Sequence, residues 1–222
     1  MDNVADMAHE HPDVPVNIWV DVYGMGGHPD RIMGALNGLG FAPNITFKAL
    51  DSIPAYTNTP LFSKPFNGFT DYKATVWKQV DLARLYVLRE CLVHGTEDAA
   101  IYADMDVIVP DEAFGIVEQH GMVTNIHPGF SEGLLAENQL FGFSKSRLNF
   151  LLSELLPKTA WFIEYDEHNG WRGHTEVFAE ESDALSKIGL DFNSIALKVA
   201  CIKDAKDVKH SYQDRKPSPV AF

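Results

Sequence analysis

Cysteine is scarce in this sequence: only Cys91 and Cys201 occur among 222 residues, each within an apolar segment. Two cysteines placed in this way exclude a disulfide scaffold and indicate buried, reduced thiols, as expected of a cytoplasmic protein. Long apolar runs are lacking too, since no stretch approaches the roughly 20 residues that a membrane-spanning helix requires. The acidic start lacks the basic-then-apolar layout of a signal peptide. We therefore expect a soluble protein without membrane insertion.

Basic residues are also few. The chain has 18 Lys and Arg against 31 Asp and Glu, which gives a formal net charge of −13 at pH 7. Nucleic acids and anionic membranes need a basic face for their phosphates, so the composition excludes them as main partners. A small phosphorylated ligand stays compatible, because one bound divalent cation can reverse the local field.

Length and composition fit one globular domain, because 222 residues of which 45% are hydrophobic can bury a full core. We expect residues 1–14 to be a flexible N-terminus and residues 15–212 to form the domain. Residues 213–222 are polar and contain proline. They are either a tail or a linker, in which case the domain is one module of a longer polypeptide.

The first part of the domain alternates between strand and helix patterns. Residues 16–24 are rich in β-branched and aromatic residues and run into a glycine-rich loop. Residues 28–40 predict a short helix that ends at Gly40, and residues 44–50 predict a second strand. This order is typical of a parallel sheet in which the helix makes the crossover. Residues 51–72 hold three prolines and predict a long loop, either functional or a stiffened surface excursion.

The clearest helix covers residues 76–93, whose apolar positions recur at three- and four-residue steps. The positions of this stripe are Val76, Val80, Ala83, Val87 and Cys91. Arg84 falls within the stripe with Asp81 at its edge, so the guanidinium needs an anionic partner. The pair either only ties the helix to the sheet or also reaches a ligand at the sheet edge.

Further elements are predicted along the rest of the domain. The expected strands are residues 99–103, 121–128, 138–144 and 195–202, and the expected helices are residues 145–156 and 175–189. Residues 161–178 contain Asn169-Gly170, a signal of a tight hairpin turn. The aromatic residues of this hairpin either form a sugar-stacking platform or fill a core; they are Trp161, Phe162, Tyr165, Trp171 and Phe178.

Two aspartates, Asp104 and Asp106, follow the apolar run of residues 99–103. About 1.5 Asp-x-Asp triplets are expected by chance in 222 residues with 18 aspartates, so the triplet indicates a site only together with its surroundings. We expect the pair at the carboxyl edge of an interior parallel strand, where ligands of open α/β sheets gather. In an extended segment both carboxylates point the same way and can face one Mn²⁺ or Mg²⁺ ion. Such a metal clamps a diphosphate and absorbs charge as it departs.

With helix and strand included, this region resembles the sugar-binding region of glycosyltransferases that have an Asp-x-Asp motif and the GT-A fold. The resemblance is closest to the small capsular-polysaccharide and mannosyl-type enzymes, and it covers residues 76–143 well. The matching positions are Asp81, Arg84, Leu88, Gly95, Tyr102, Asp104, Asp106 and Asn138. Residues 173–178 are similar to the family's acceptor-side turn, from which His174 and Thr175 depart. Residues 208–216 are similar to its C-terminal strand, with His210 at a histidine position.

The resemblance implies a single GT-A domain, an α/β fold with a mainly parallel central sheet flanked by helices. It implies transfer of a sugar from a nucleoside-diphosphate donor, with UDP favoured over GDP, to a glycan hydroxyl. Mn²⁺ or Mg²⁺ is the implied cofactor. The implied substrate-binding residues are Val20, Tyr23, Gly24, Asp81, Arg84, Asn138 and His174, and the implied metal ligands are Asp104, Asp106 and His210.

Several of these residues have plainer interpretations. Tyr23 either stacks on the base or is an ordinary turn aromatic. Glu176 either acts as the general base of an inverting reaction or is an acid in the first turn of a helix. His210 either completes a metal shell or lies in a frayed tail. His127, near the end of the predicted strand 121–128, is interpreted as a structural histidine in preference to a ligand.

Two other functions compete with the glycosyltransferase. Phosphatases of the haloacid dehalogenase type also place Asp-x-Asp after an apolar strand, with the first Asp as nucleophile. They place it near the N-terminus and need Thr or Val four positions later, whereas here 103 residues precede Asp104 and Ile108 holds that position. The other alternative is a non-catalytic sugar- or metal-binding module in which the acid pair is structural.

Overall fold

The computed structural model describes residues 2–22, 28–38, 40–60, 62, 72–126, 136–165, 177 and 183–197. Within these residues it is a mixed α/β structure with helices packed against two sheets, one of two strands and one of four. No helix in this part of the chain combines the length and the apolarity needed to cross a bilayer.

The first sheet confirms the predicted strand, helix, strand unit. Strand β1 (Val16–Val20) and strand β2 (Ile45–Ala49) pair in parallel, from Val16 opposite Ile45 to Val20 opposite Ala49. Helix α2 (Pro29–Asn37) connects them and begins at a proline, whose fixed φ suits the first helical turn. The helix ends at Gly38, two residues before the predicted stop.

The N-terminal segment contains a helix that packs on the domain. Residues 1–14 are expected to be flexible, but helix α1 (Asp2–Glu10) buries Ala8 almost completely. Asn44 Nδ2 lies 2.9 Å from Ala8 O, 3.0 Å from His11 O and 2.9 Å from Val14 O, all three of which accept hydrogen bonds from it. These contacts join the segment to the start of β2, which local sequence patterns do not reveal.

Two short helical elements follow β2, where the sequence predicts a loop. They are the 3₁₀ turn Leu50–Ser52 and helix α3 (Pro54–Thr57). Ile53 and Tyr56 from this stretch are buried against helix α4 (Tyr72–His94). The first part of the predicted loop therefore belongs to the core.

Helix α4 is buried more widely than its predicted stripe. Ala83 and Val87 face the cluster formed with Ile53 and Tyr56. Leu85, Leu88 and Leu92 face a second and larger cluster that includes residues of the four-stranded sheet. A helix with apolar side chains on two sides of this kind lies between two packed layers.

The larger sheet corrects the expectation of a mainly parallel arrangement. Its order is β3 (Ala99–Ala103), β5 (Ala136–Ser144), β4 (Met122–Ile126), β6 (Ala196–Leu197). Strand β5 is antiparallel to both β3 and β4, and only β4 and β6 pair in parallel. Helix α5 (Asp111–His120) still connects two strands of the same direction, but β5 lies between them. Among the described strands β3 is an end strand, not an interior one.

A continuous helical region follows β5. It comprises the 3₁₀ turn Lys145–Arg147, helix α6 (Leu148–Phe150), the π-helical turn Leu151–Leu155 and helix α7 (Leu156–Tyr165). The predicted hairpin is therefore wrong over residues 161–165. Thr159, Phe162 and Ile163 are buried at helical spacing, whereas Trp161 is half exposed. Asn169-Gly170, Trp171 and Phe178 lie outside the described residues.

The last described elements are helix α8 (Asp183–Lys187), helix α9 (Phe192–Ile195) and β6. Leu185, Phe192 and Ile195 belong to the largest apolar cluster of the described residues. The strand predicted at residues 195–202 is described only over its first residues, where it extends the sheet beside β4.

Candidate functional site

The two aspartates of the motif lie in a β-turn that follows β3. The Val107 N–H donates to Asp104 O at 2.9 Å, which closes the turn Asp104–Val107, and the Asp104 N–H donates to Gln139 O at 2.8 Å. The sequence pattern predicts an extended segment at Asp104 and Asp106, and this prediction is wrong because the segment forms a turn. The alternation of side chains along a strand ends at Ala103, so it does not aim both carboxylates at one point.

Arg84 of helix α4 lies beside this turn and is only 7% exposed. Its Nη2 lies 3.0 Å from both carboxylate oxygens of Asp104. Its Nη1 donates to Asn138 O at 3.1 Å and contacts Asp81 Oδ1 at 3.4 Å. A buried guanidinium needs such partners, and the expected ion pair with Asp81 is present. The shorter ionic contact is the one to Asp104, which the spacing along the helix does not predict.

Asp81 and Asn138 form the inner side of the cluster. Both are 6% exposed, and Asn138 Nδ2 donates to Asp81 Oδ1 at 2.7 Å. The same carboxylate oxygen therefore receives the amide of β5 and the guanidinium of α4. Sequence positions 57 residues apart meet here, at the start of β5 and in the middle of α4.

Tyr102 is the residue whose role the sequence analysis leaves out, although it is one of the matching positions. Its hydroxyl donates to Asp104 Oδ1 at 2.6 Å and accepts from Arg84 Nε at 3.1 Å. Burial raises the pKa of Tyr102 well above its ordinary value, with Asp104 acting in the same direction and Arg84 in the opposite one. The hydroxyl therefore keeps its proton at neutral pH. The sequence signal that points to Tyr102 is its position two residues before Asp104, near the end of the predicted strand.

The charge of Arg84 is secure in this environment. Burial works to lower its pKa, but the neighbouring Tyr102, Asp104 and Asp81 raise it, and the net shift is upward. The Arg84 guanidinium also lies over the Tyr102 ring, 5.4 Å from the ring centroid. The Arg84 guanidinium thus stays cationic between the carboxylates of Asp81 and Asp104.

Asp106 lies within the same turn and is partly exposed. Its neighbours Met105 and Ile108 are 50% and 44% exposed. Of the two motif aspartates, Asp104 is the one whose carboxylate contacts Arg84 and Tyr102.

The described residues alone do not form a complete metal site. Among them no group of three or more His, Cys, Asp and Glu side chains lies close enough to hold an ion. A magnesium-type ion is commonly bound through one or two carboxylates, with phosphate oxygens of the substrate as further ligands. One carboxylate, that of Asp106, suits such a partial shell, whereas both oxygens of Asp104 already contact Arg84 and one accepts from Tyr102. The third expected ligand, His210, lies outside the described residues.

The other expected site residues are only partly covered by the structure. Val20 is the last residue of β1, and its neighbour Trp19 packs against the same cluster as Tyr102. The end of β1 is therefore on the side of α4 that carries the site. The remaining candidates lie outside the described residues; they are Tyr23, Gly24, His127, His174, Glu176 and His210.

Two acids that the sequence analysis does not single out follow the strands of the small sheet. Asp21 comes directly after β1 and acts on Tyr56, whose pKa is raised to about 12 by burial first and by Asp21 second. Asp51 follows β2, and its buried Oδ1 has no hydrogen-bond partner among the described residues. Buried polar atoms are normally paired, so Asp51 is an exception within the part of the chain that the structure describes.

Comparisons of the chain with protein-family models, with curated proteins and with solved structures find no match.

Proposed function

We propose that this chain is a Mn²⁺- or Mg²⁺-dependent glycosyltransferase of the GT-A type. It transfers a sugar from a nucleoside-diphosphate donor to a hydroxyl of a glycan, and a UDP-sugar is favoured over a GDP-sugar as the donor. The observation that carries the proposal is the convergence of Asp81, Tyr102, Asp104 and Asn138 on the guanidinium of Arg84. These are positions of the pattern by which the sequence resembles such enzymes.

The geometry supports a division of tasks between the two motif aspartates. Asp104 is held by Arg84 and Tyr102, so it can fix the shape of the turn and accept hydrogen bonds from the donor at its outer edge. Asp106 offers its carboxylate on the partly exposed side of the turn. A bound divalent ion supplies stabilisation of the negative charge on the departing diphosphate.

The remaining tasks fall to residues that orient the substrates. Asp81 and Asn138 line the side of the cluster on which the donor sugar lies, and the end of β1 with Val20 holds the nucleoside. In the reaction the bond from the anomeric carbon to the diphosphate oxygen breaks, and the acceptor oxygen bonds to that carbon. The acceptor proton passes to a base, for which Glu176 is the candidate in an inverting reaction.

The assignment to the GT-A fold is part of the proposal. The described four-stranded sheet is mixed, so the support comes from two other features. One is the parallel β1–α2–β2 unit, and the other is the position of the acid turn at the carboxyl end of β3.

A cytoplasmic location belongs to the same proposal. Cys91 is a free thiol on α4, partly buried where the sequence pattern predicts a buried one, and Cys201 lies outside the described residues. Burial raises the pKa of the Cys91 thiol, with Glu90 acting in the same direction and Lys48 in the opposite one. The thiol therefore stays protonated and unreactive at neutral pH, which favours a structural role in a reducing compartment.

One observation favours a second candidate, a non-catalytic sugar- or metal-binding module. Both oxygens of Asp104 already contact Arg84, and one also accepts from Tyr102. A carboxylate with such partners can be purely structural. The same contacts make Asp104 a poor nucleophile, which argues against the phosphatase interpretation.

A panel of nucleoside diphosphates tests the proposal. Thermal unfolding is followed with UDP, GDP, ADP and CDP, each with Mn²⁺, with Mg²⁺ and with EDTA. We expect stabilisation by one diphosphate, dependent on the metal, and a ligand at 100 times its dissociation constant contributes about 2.7 kcal/mol. The corresponding sugar nucleotides are then assayed for release of the diphosphate. Binding without any turnover favours the module, and no binding of any diphosphate contradicts the glycosyltransferase.

A further inference from the structure

Helix α1 reaches the acid turn through one side chain. Asn3 Nδ2 donates to Val107 O at 2.8 Å and to Met105 O at 3.3 Å. These two carbonyls stand on either side of Asp106. A primary amide carries two N–H groups, so one asparagine can hold both carbonyls at once. A residue more than 100 positions earlier in the sequence therefore braces the turn from outside.

The rest of the N-terminal segment is anchored separately. Asn44, at the start of β2, donates to three carbonyls of residues 8–14. His11 Nε2 lies 3.3 Å from Asp111 Oδ1, and the His11 ring lies 5.2 Å from the ring of Phe114. Asp111 begins helix α5, which directly follows the acid turn. The segment thus spans from the small sheet to both the turn and the helix after it.

We propose that Asn3 is a positioning residue for Asp106, and that helix α1 is a strap holding the acid turn in the conformation that binds its ligand. Arg84 and Tyr102 fix Asp104 from inside, whereas Asn3 fixes the two carbonyls around Asp106 from outside. The bracing follows from the contacts alone. Only the nature of the ligand, a divalent ion with a diphosphate, rests on the proposed function.

The physical reason is the precision that a metal ligand needs. The turn is closed by the hydrogen bond from Val107 N–H to Asp104 O. Removing the amide of Asn3 frees two carbonyls next to Asp106 and lets its side chain sample more directions. Partners that orient metal ligands typically contribute 10- to 100-fold in affinity or activity.

Three variants separate this role from general stability. Asn3→Ala removes the donor. Asn3→Asp also removes it at neutral pH, but it places an acid in the first turn of α1 and so favours the helix. The matched control is Asn37→Ala, because Asn37 of α2 also bonds the main chain from a helix, its Oδ1 accepting from Phe47 N–H at 3.1 Å. Far-UV circular dichroism checks that α1 persists.

The first measurement is amide hydrogen exchange of residues 104–107. We expect exchange roughly tenfold faster in Asn3→Ala and Asn3→Asp than in the parent, and unchanged in Asn37→Ala. Equal exchange in the parent and in both Asn3 variants overturns the bracing role. If Asn3→Ala loses α1, the comparison is made with Asn3→Asp.

The second measurement is Mn²⁺ binding in the presence of UDP, followed by the electron paramagnetic resonance of free Mn²⁺. We expect affinity on the order of tenfold weaker in Asn3→Ala and unchanged in Asn37→Ala. Equal affinity in the parent and Asn3→Ala overturns the positioning of Asp106. If the parent binds no Mn²⁺, the proposed function has failed on its own terms, and hydrogen exchange alone decides whether Asn3 braces the turn.

Discussion

Arg84 Nη2 lies 3.0 Å from each carboxylate oxygen of Asp104, although one residue belongs to helix α4 and the other to the turn after β3. The Arg84 side chain is 8% exposed and that of Asp104 is 23% exposed. A guanidinium so buried is costly unless it is paired. One contact therefore links the packing of α4 on the sheet to the shape of the candidate site. Stability and ligand binding must be measured separately for any change here.

Replacement of Arg84 by Lys keeps the charge but loses the planar fork. A lysine ammonium cannot reach Asp81, Tyr102 and Asp104 together, so buried acceptors lose their donor. We expect Arg84→Lys to lower the free energy of unfolding by about 2 kcal/mol and to weaken the binding of UDP with Mn²⁺. Urea unfolding measures the first effect, and ligand-induced thermal stabilisation measures the second.

Arg89→Lys is the matched control on the same helix. Arg89 is half-buried and acts on Tyr86, whose pKa is raised by burial and lowered by Arg89. We expect Arg89→Lys to stay within about 0.5 kcal/mol of the parent, with binding unaffected. Equal effects of the two substitutions would contradict a special role for the Arg84 fork.

Tyr102→Phe tests the hydroxyl between Arg84 and Asp104. The substitution keeps the ring over the guanidinium and removes a group that donates at 2.6 Å and accepts at 3.1 Å. We expect a loss of about 1–3 kcal/mol in the free energy of unfolding. The affinity for Mn²⁺ with UDP should fall as well, because Asp104 loses a partner. Tyr86→Phe, at a half-buried tyrosine of α4, serves as the control and should leave the affinity unchanged.

We expect the buried Tyr56 to make the protein less stable at alkaline pH. Its pKa is about 12 in the folded chain against 10.0 ordinarily, because burial and Asp21 disfavour the phenolate. The raised pKa means that the folded state binds the phenolic proton more tightly than the unfolded state does. The contribution of Tyr56 to the free energy of unfolding is therefore fully present below pH 10 and is lost from pH 10 to 12. Tyr56→Phe should show a shallower decline than the parent over this interval in urea unfolding. Parallel curves would show that Tyr56 does not titrate with folding.

The local parts of this fold could be predicted from the sequence. Strands β1 and β2 and helix α2 have clear β-branched and helical patterns, and α4 has a sustained apolar period. The buried charge of Arg84 on that period correctly indicated an ion pair. Each of these features depends on residues within a few turns of one another.

The parts that failed depend on contacts between distant residues. A continuous apolar run such as residues 99–103 suits a buried strand of either direction, and the direction is set here by β5, about 40 positions later. The acid turn is closed and braced through Val107 and Asn3, and α1 is held by Asn44. The predicted hairpin is wrong for a different, local reason. The Asn169-Gly170 turn signal was given more weight than the helical period that residues 161–165 share with residues 155–159.

The two motif aspartates should respond differently to the same substitution, and this contrast tests the division of tasks between them. Sequence reasoning expects both Asp104→Asn and Asp106→Asn to stay folded, because each removes repulsion between neighbouring acids. The contacts of Asp104 with Arg84 and Tyr102 change that expectation for Asp104.

Asp104→Asn leaves the Arg84 guanidinium with one carboxylate fewer, so we expect the free energy of unfolding to fall by about 1–3 kcal/mol. Asp106→Asn should lower the free energy of unfolding less than Asp104→Asn does, because Arg84 keeps its contacts with Asp81 and Asp104. It should raise the Mn²⁺ concentration for half-maximal UDP binding more strongly than Asp104→Asn does. Urea unfolding and a manganese titration on both variants give the four values. If Asp106→Asn binds manganese as the parent does, the Asp106 carboxylate is not a metal ligand. If Asp104→Asn is as stable as the parent, its pairing with Arg84 does not hold the turn.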